Sequence, residues 1–215
     1  KPTEGHYPGK DISVIERELD LWYKGILTKV WKTFARTLEM KKENFAEAIA
    51  KQFSGLKVSA DDVKHVVIYA KFDAEKPTLW NDGEVFRFAR ELRKFTKPMI
   101  IAANKMDREM SKENLKRLKE DYNYPIVPCF ADGELALREA DRAGLIEYLP
   151  GDNDFKILKQ LNEKQSEALE KIRLFLKEFG STGVQEILNK VVFDVLKYIS
   201  IFPAGDKLAD SKGNV

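Results

Sequence analysis

Residues 97–107 carry the sequence KPMIIAANKMD, and this stretch indicates how the centre of the chain folds. Its apolar run, residues 99–103, is short, continuous and followed at once by polar side chains. That pattern predicts a strand buried on both faces of a parallel sheet. A charged helix beginning at Ser111 and a second apolar run at residues 124–129 come next. Strand, helix and strand in this order predict one crossover unit with parallel strands, and therefore an α/β fold.

Polar residues follow the first predicted strand at the place where open α/β sheets bind ligands. An ionised Asp107 would accept hydrogen bonds from the N1–H and the 2-amino group of guanine, whereas adenine offers a lone pair and an empty site there. Asn104 could meet the N7/O6 edge of the base or brace the neighbouring loop, and the methylene stem of Lys105 could lie along the base. The alternative is a polar strand-to-helix turn without a ligand.

A second loop, Cys129–Ala131, ends the next predicted strand and should reach the same rim of the sheet. Ala131 is small enough to let its backbone N–H approach the O6 atom of a base. An ordinary strand end that leads into a helix near Asp132 explains this loop equally well.

Residues 97–107 resemble the fourth guanine-nucleotide motif of the Obg family of GTPases, in its YchF-like archaeal branch. Other stretches resemble further parts of that family in the same order. These are residues 15–27 in its helical insertion, 134–151 after its fifth motif, 179–186 in its closing helices, and 201–215 at the start of its TGS domain, a ubiquitin-like β-grasp module. The resemblance implies a partial P-loop NTPase G domain with a large helical insertion and the start of a TGS domain.

The resemblance also divides the chain into segments. It predicts a helical insertion domain at 1–95, the C-terminal half of the G domain with the fourth and fifth motifs at 96–150, closing helices at 151–200, and a truncated TGS domain at 201–215.

Apolar spacing and capping residues predict the helices within these segments. A long helix should run from Asp11 to about Lys41, and a short second helix should end at Gly55. Others should begin at Ser59, Asn81 and Asn162, and a last one should span residues 182–200. Two apolar stripes predict a wide buried face on the long helix. The first consists of Ile12, Ile15, Leu19, Trp22, Ile26 and Val30, and the second of Leu27, Trp31, Phe34 and Leu38.

Carried over to this sequence, the resemblance implies base recognition by Asn104, Lys105 and Asp107 and an O6 contact from the Ala131 backbone. It implies a cytoplasmic, ribosome- or translation-associated switch that binds GTP or GDP with Mg²⁺ and hydrolyses GTP slowly. YchF proteins often lack the last aspartate of the fourth motif and accept ATP, so Asp107 implies guanine preference. Phe130 stands where the fifth motif usually has a small hydroxyl residue.

The sequence lacks a phosphate-binding loop, which needs Gly-x-x-x-x-Gly-Lys-Ser/Thr between a strand and a helix. Residues 5–11 are one residue short, follow no strand and place Asp11 where the hydroxyl belongs. Residues 141–144 match Asp-x-x-Gly but follow the base motif. We therefore predict no catalytic residue and no metal ligand in this chain. The chain begins with Lys1, not Met, so we expect an inactive fragment whose phosphate and Mg²⁺ contacts come from a missing N-terminal part.

Composition limits the remaining possibilities. The chain is 43% hydrophobic and 33% charged, which excludes intrinsic disorder. Its 37 basic and 35 acidic side chains leave a net charge of +2, which is low for a dedicated nucleic-acid binder. The single cysteine, Cys129, forbids an internal disulfide. No apolar run approaches the roughly 20 residues needed to cross a bilayer.

Other residues of chemical interest favour structural roles. His6 and His65 lie too far apart in sequence for a zinc site, and Cys129 reads as a small core residue. We interpret the three tryptophans as core or interface aromatics and one local basic cluster as a solvated helix face, with RNA contact as the minority interpretation of both. These residues are Trp22, Trp31 and Trp80, and Lys112, Lys116, Arg117 and Lys119. The competing hypothesis for the whole chain is a non-enzymatic helical adaptor that binds protein or ribosomal RNA.

Overall fold

The computed structural model describes residues 7–201, and the chain divides into two compact units between Met99 and Ile100. The first unit is helical. Its helices are α1 (Gly9–Thr28), α2 (Trp31–Lys41), α3 (Phe45–Gln52), α4 (Ala60–Tyr69) and α5 (Asp82–Thr96), with 3₁₀ turns at Ser54–Leu56 and Pro77–Leu79. Helix α5 supplies the centre of the core because its fully buried face packs against α1 and α4. That face consists of Val85, Phe88, Ala89 and Leu92.

The long first helix of the sequence prediction is wrong, because the chain breaks between α1 and α2. Val30 leaves the helical region, with φ −133° and ψ 6°. Buried residues recur at every fourth position across the break, from Tyr23 through Leu27 and Trp31 to Ala35. In a straight helix, a residue four positions further along lies about 40° further around the axis. One continuous helix would therefore carry Ala35 far from the face of Tyr23, and the break redirects α2 towards the core.

The first of the two predicted apolar stripes is wrong for half of its members. Ile15, Trp22 and Val30 are 55%, 52% and 47% exposed, whereas Leu27, Trp31 and Leu38 of the second stripe are buried. The buried face of α1 includes Asp20, which pairs with Arg93 of α5. Because a charged residue lies on the packed face, hydrophobicity alone selects the wrong side of this helix.

Two predicted helix starts in the first unit are confirmed. Ser59 and Asp62 form a capping box at α4, and Asn81 and Glu84 form one at α5. The predicted end at Gly55 is wrong, because α3 stops at Gln52 and a 3₁₀ turn follows. The left-handed residue is Lys57, with φ 56°.

The second unit contains the predicted crossover. Its strand β1 (Ile101–Ala103) leads through α6 (Ser111–Asp121) to β2 (Ile126–Pro128), and the two strands are parallel, with Ile101 opposite Ile126. The α/β prediction is confirmed to this extent. Burial of β1 on both faces is wrong, because Ala102 is exposed in the two-stranded sheet that the described residues form.

The remaining elements of the second unit surround a separate core. They are α7 (Ala131–Arg142), β3 (Ile146–Glu147), β4 (Lys156–Ile157), α8 (Glu163–Phe179), α9 (Val184–Asn189) and a π-helical stretch, Lys190–Val195. The core includes Leu137, Ile146, Leu169, Ile172 and Leu176. The antiparallel pair of β3 and β4 was not predicted, because two residues per strand leave no alternating pattern.

The closing helices follow the prediction only in part. Asn162 and Gln165 cap α8, and Gly180 ends it in the left-handed conformation, with φ 84°, as expected. The predicted helix at 182–200 is wrong in extent, because α9 begins at Val184 and gives way to π-helical turns at Lys190. Neither piece has a fully buried side chain, so little packing favours a regular helix there.

The predicted TGS start falls almost wholly outside the described residues, of which Ile201 is the last. Among the described helices, none combines the length and the apolar character that crossing a bilayer requires.

Candidate functional site

The loop after β1 presents three of the four predicted base-contacting residues. Asn104, Lys105 and Asp107 are exposed, whereas Met106 between them is buried. Lys105 takes a left-handed conformation, with φ 64°, and its carbonyl accepts a hydrogen bond from the Arg108 N–H at 3.2 Å. This tight turn places Met106 inward and its polar neighbours outward.

Met106 anchors the loop to both neighbouring elements. Its N–H donates to the Cys129 carbonyl at 3.2 Å, and its own carbonyl accepts from the Ser111 hydroxyl at 2.9 Å. The Cys129 N–H in turn donates to the Ala103 carbonyl at 2.8 Å. The ends of β1 and β2 are therefore joined at the rim, as the crossover predicts.

Asn104 links the first loop to Ala131, the first residue of α7. Its side-chain oxygen accepts the Ala131 backbone N–H at 3.1 Å. Of the two roles predicted for Asn104, the structure contains the bracing one. A base oxygen that approached Ala131 would have to share or replace this acceptor, because the amide has one hydrogen to donate.

The side chains of Asp107 and Lys105 differ from that of Asn104 in having no polar partner within residues 7–201. The Asp107 carboxylate is exposed and makes no hydrogen bond or ion pair there, and neither does the Lys105 ammonium. An accessible carboxylate can accept hydrogen bonds from two adjacent donors of a planar ring. The ionised oxygens strengthen such bonds relative to neutral pairs.

Phe130, which stands where the fifth motif usually has a small hydroxyl residue, packs away from the loop after β1. Its ring lies 5.0 Å from that of Phe175, centroid to centroid, and over Gly133, where an added Cβ would lie 2.5 Å from a ring carbon. The Phe130 N–H donates to the Thr182 carbonyl at 2.9 Å. The bulky side chain thus contributes to the core.

A buried polar network that sequence reasoning missed lies behind Ala131. One oxygen of Glu134 accepts from the Thr182 hydroxyl at 2.5 Å and the Tyr148 hydroxyl at 2.9 Å, and the other accepts from Arg138 at 2.6 Å. Glu134 and Arg138 alone look like an ordinary surface pair four residues apart on a helix. Nothing in the sequence connects them to Thr182, which lies 48 residues further along.

The pKa values in this network follow from burial and hydrogen bonding. Burial by itself raises the pKa of Glu134, but the hydrogen bonds from Thr182, Arg138 and Tyr148 outweigh it and lower the pKa below its ordinary value. Burial, with the adjacent Glu134 carboxylate, raises the pKa of Tyr148 to about 12. At neutral pH Glu134 is therefore a buried carboxylate that accepts from protonated donors.

Most of the residues for which the sequence favours a structural role, or which it excludes from a site, contribute to packing or to the hydrogen bonds of the fold. Cys129 is buried, and burial raises the pKa of its thiol to about 11, so it is protonated and unsuited to nucleophilic attack at neutral pH. Trp31 and Trp80 are buried and stacked 5.3 Å apart, but Trp22 is half exposed. Asp141 lies near the end of α7 and accepts the Tyr148 N–H.

The predicted basic cluster is exposed on α6, as expected of a solvated face, and its Lys112 pairs with Glu178. No group of three or more His, Cys, Asp or Glu residues in the described part of the chain could hold a metal ion. His6 lies outside that part.

Comparison with known proteins agrees with this arrangement of strands and loops. Residues 102–206 match the family model described as "Obg-like GTPase YGR210-like, G4 motif-containing domain", a range that contains all four candidate residues. The chain is 40% identical over 219 aligned residues to the GTP-binding protein MJ1332 of Methanocaldococcus jannaschii. The chain is similar to Obg-like GTP-binding proteins.

A solved structure supports the same similarity. The crystal structure of a GTP-binding protein from Pyrococcus horikoshii OT3 matches the whole of this chain with a TM-score of 0.77 and 39% identity. The chain covers 57% of that protein and 54% of the Methanocaldococcus protein, in each case along its own full length. It therefore spans about half the length of these two GTP-binding proteins.

Proposed function

We propose that the rim formed by residues 104–107 and Ala131 binds the base of a guanine nucleotide. The observation that carries the proposal is the 3.1 Å hydrogen bond between the Ala131 amide and Asn104, because it joins the start of α7 to the loop that carries Asp107, whose side chain has no polar partner within residues 7–201. In the proposed complex Asp107 accepts from N1–H and the 2-amino group of guanine. The Lys105 stem lies along the ring, and the Ala131 amide faces O6.

For the whole protein we propose a cytoplasmic GTPase switch of the YchF-like branch, with a TGS domain, that acts on ribosomes or translation. The resemblance of the sequence and the similarity to GTP-binding relatives support this wider proposal. The described residues do not form a metal site, so Mg²⁺ and phosphate contacts are proposed to come from a phosphate-binding loop outside these 215 residues. Base recognition without phosphate contacts would leave this chain alone without hydrolytic activity.

The substitution Asp107→Asn in the intact protein tests the base assignment. The amide can still accept from N1–H, but its NH₂ group opposes the 2-amino group of guanine and can donate to the 2-carbonyl of xanthine. We expect affinity for GDP to fall by about a hundredfold and affinity for xanthosine diphosphate to rise, since a mismatched buried polar group costs several kcal/mol. Titration with fluorescent derivatives of both nucleotides measures the change.

The control is Glu109→Gln, which removes one negative charge from the same exposed loop. We expect it to leave both affinities nearly unchanged. Unchanged GDP affinity in Asp107→Asn would exclude the assignment. Absence of guanine binding in the unaltered protein would favour the helical adaptor instead.

A further inference from the structure

One buried residue, Thr182, forms hydrogen bonds on both sides of Ala131, to the backbone before it and to a side chain after it. The Thr182 carbonyl accepts the N–H of Phe130, the residue before Ala131, at 2.9 Å. The Thr182 hydroxyl donates to Glu134, three residues after Ala131, at 2.5 Å. Thr182 and Glu134 are both almost fully buried. The first turn of α7 is therefore clamped from one point outside the helix.

The segment that carries Thr182, residues 180–183, is itself held against the end of β2. Gly183 has φ 79°, and a Cβ added to it would lie 2.0 Å from the Pro128 carbonyl oxygen and 3.1 Å from the Cys129 sulfur. The Gly183 N–H donates to the Ser181 hydroxyl at 3.1 Å. Because the backbone touches β2 directly, Thr182 has little freedom to move away from Phe130.

Glu134 makes the clamp strong because it is a buried carboxylate with three donors. Bonds to an ionised acceptor are roughly twice as strong as neutral ones, and leaving such a group unpaired in the interior is costly. Tyr148 and Arg138 supply the remaining donors. The charge therefore holds the Thr182 hydroxyl, and with it the Thr182 carbonyl, in one orientation.

We infer that Thr182 and Glu134 are positioning residues that fix the Ala131 amide for recognition of the atom at position 6 of the base. This inference rests on the proposed function. Neither residue touches the nucleotide in this scheme: they act through Phe130 and the first turn of α7. Asp107 accepts from the 2-amino group from the other loop, to which Thr182 makes no hydrogen bond.

The variant Thr182→Val tests the inference, because it keeps the shape of the side chain and removes the hydroxyl. GDP and two diphosphates with altered bases separate the two edges. GDP and 6-thio-GDP differ only at position 6, where sulfur is a larger and weaker acceptor, and inosine diphosphate lacks only the 2-amino group. In the intact protein we expect Thr182→Val to weaken GDP binding by about tenfold. The ratio of the affinity for GDP to the affinity for 6-thio-GDP, here called the position-6 ratio, should come close to one. The ratio of the affinity for GDP to the affinity for inosine diphosphate, here called the position-2 ratio, should stay unchanged.

Two variants separate positioning from general loss of stability. Thr182→Ser retains the hydroxyl, so its position-6 ratio should equal that of the unaltered protein. Leu169→Ala opens the core of the same unit without touching the network and should lower the melting temperature without narrowing that ratio. The inference would be overturned if Thr182→Val moved the position-6 and position-2 ratios equally towards one. It would also be overturned if Leu169→Ala moved the position-6 ratio towards one.

Hydrogen exchange of the Phe130 and Ala131 amides tests the clamp without a nucleotide. Both should exchange faster in Thr182→Val than in Thr182→Ser, and equal exchange would overturn the inference. If the unaltered protein does not bind GDP, the proposed function fails, and the exchange measurement still decides whether the clamp exists. If Thr182→Val does not fold, Glu134→Gln serves in the same measurements, since it keeps the acceptor but weakens it by removing the charge.

Discussion

Among the glycines that the structure describes, Gly183 is the one whose added Cβ would lie nearest to another backbone atom. Gly180 and Gly183 both have left-handed φ angles, of 84° and 79°, but only Gly183 lies against another backbone. We expect Gly180→Ala to lower the free energy of unfolding by about 1–2 kcal/mol through its φ angle alone. Gly183→Ala should cost roughly 3 kcal/mol or more, because its Cβ also overlaps the Pro128 carbonyl. Urea unfolding of the two variants measures the difference, and equal losses would contradict the direct contact.

Glu134 should make the stability of the second unit depend on acid pH. Its pKa in the folded state lies below its ordinary value of 4.5, so folding favours the ionised form. The stabilisation is complete above about pH 4.5 and is lost as the pH falls through the folded pKa. We expect Glu134→Gln to be less stable at neutral pH and to lose less stability on acidification. Urea unfolding at a series of pH values measures both curves, and parallel curves would exclude this role for the carboxylate.

Helices α1 and α5 are joined by a buried ion pair that controls how they pack. Arg93 donates to Asp20 at 2.8 Å, and both side chains are at least nine-tenths buried. Removing one partner leaves a charge in the interior, so we expect Asp20→Ala to lower the free energy of unfolding by about 3–5 kcal/mol. Replacing Asp20 by Leu together with Arg93 by Met should recover most of this loss.

A second pair provides the matched control for that prediction. Lys24 and Asp82 also lie on α1 and α5, but the Asp82 side chain is 78% exposed. Asp82→Ala should therefore cost less than about 1 kcal/mol, since solvent screens exposed pairs. Denaturant unfolding of both variants gives the comparison. A cost for Asp20→Ala no greater than that for Asp82→Ala would show that burial does not control the strength of this contact.

Elements whose signals are local were predictable from sequence, and elements set by distant contacts were not. The capping boxes at Ser59, Asn81 and Asn162 lie within four residues of chain, so each helix start follows from its own neighbours. The break at Val30 depends on where α2 meets the rest of the core. No local residue marks it, because helical spacing continues through it in the sequence.

At the scale of the whole molecule, the helical unit and the α/β unit have separate cores. The candidate nucleotide site uses only the α/β unit, where loops from two parallel strands meet. The chain spans about half the length of the GTP-binding proteins that it matches, so the remaining length in those proteins can carry further chemistry. The near-zero net charge likewise describes only these 215 residues.

The sequence by itself determined the parallel crossover and the place of the loops at 104–107 and 129–131, because short apolar runs and the polar residues that end them are local features of the sequence. Only the tertiary structure decided that Asn104 accepts the Ala131 amide and that Thr182 and Glu134 hold that amide in place. Those contacts join residues 27 and 48 positions apart, and their energy exists only once the chain has excluded water around them. Local patterns therefore predicted which loops meet at the candidate site, and packing determined which of their atoms already have a partner in the described residues.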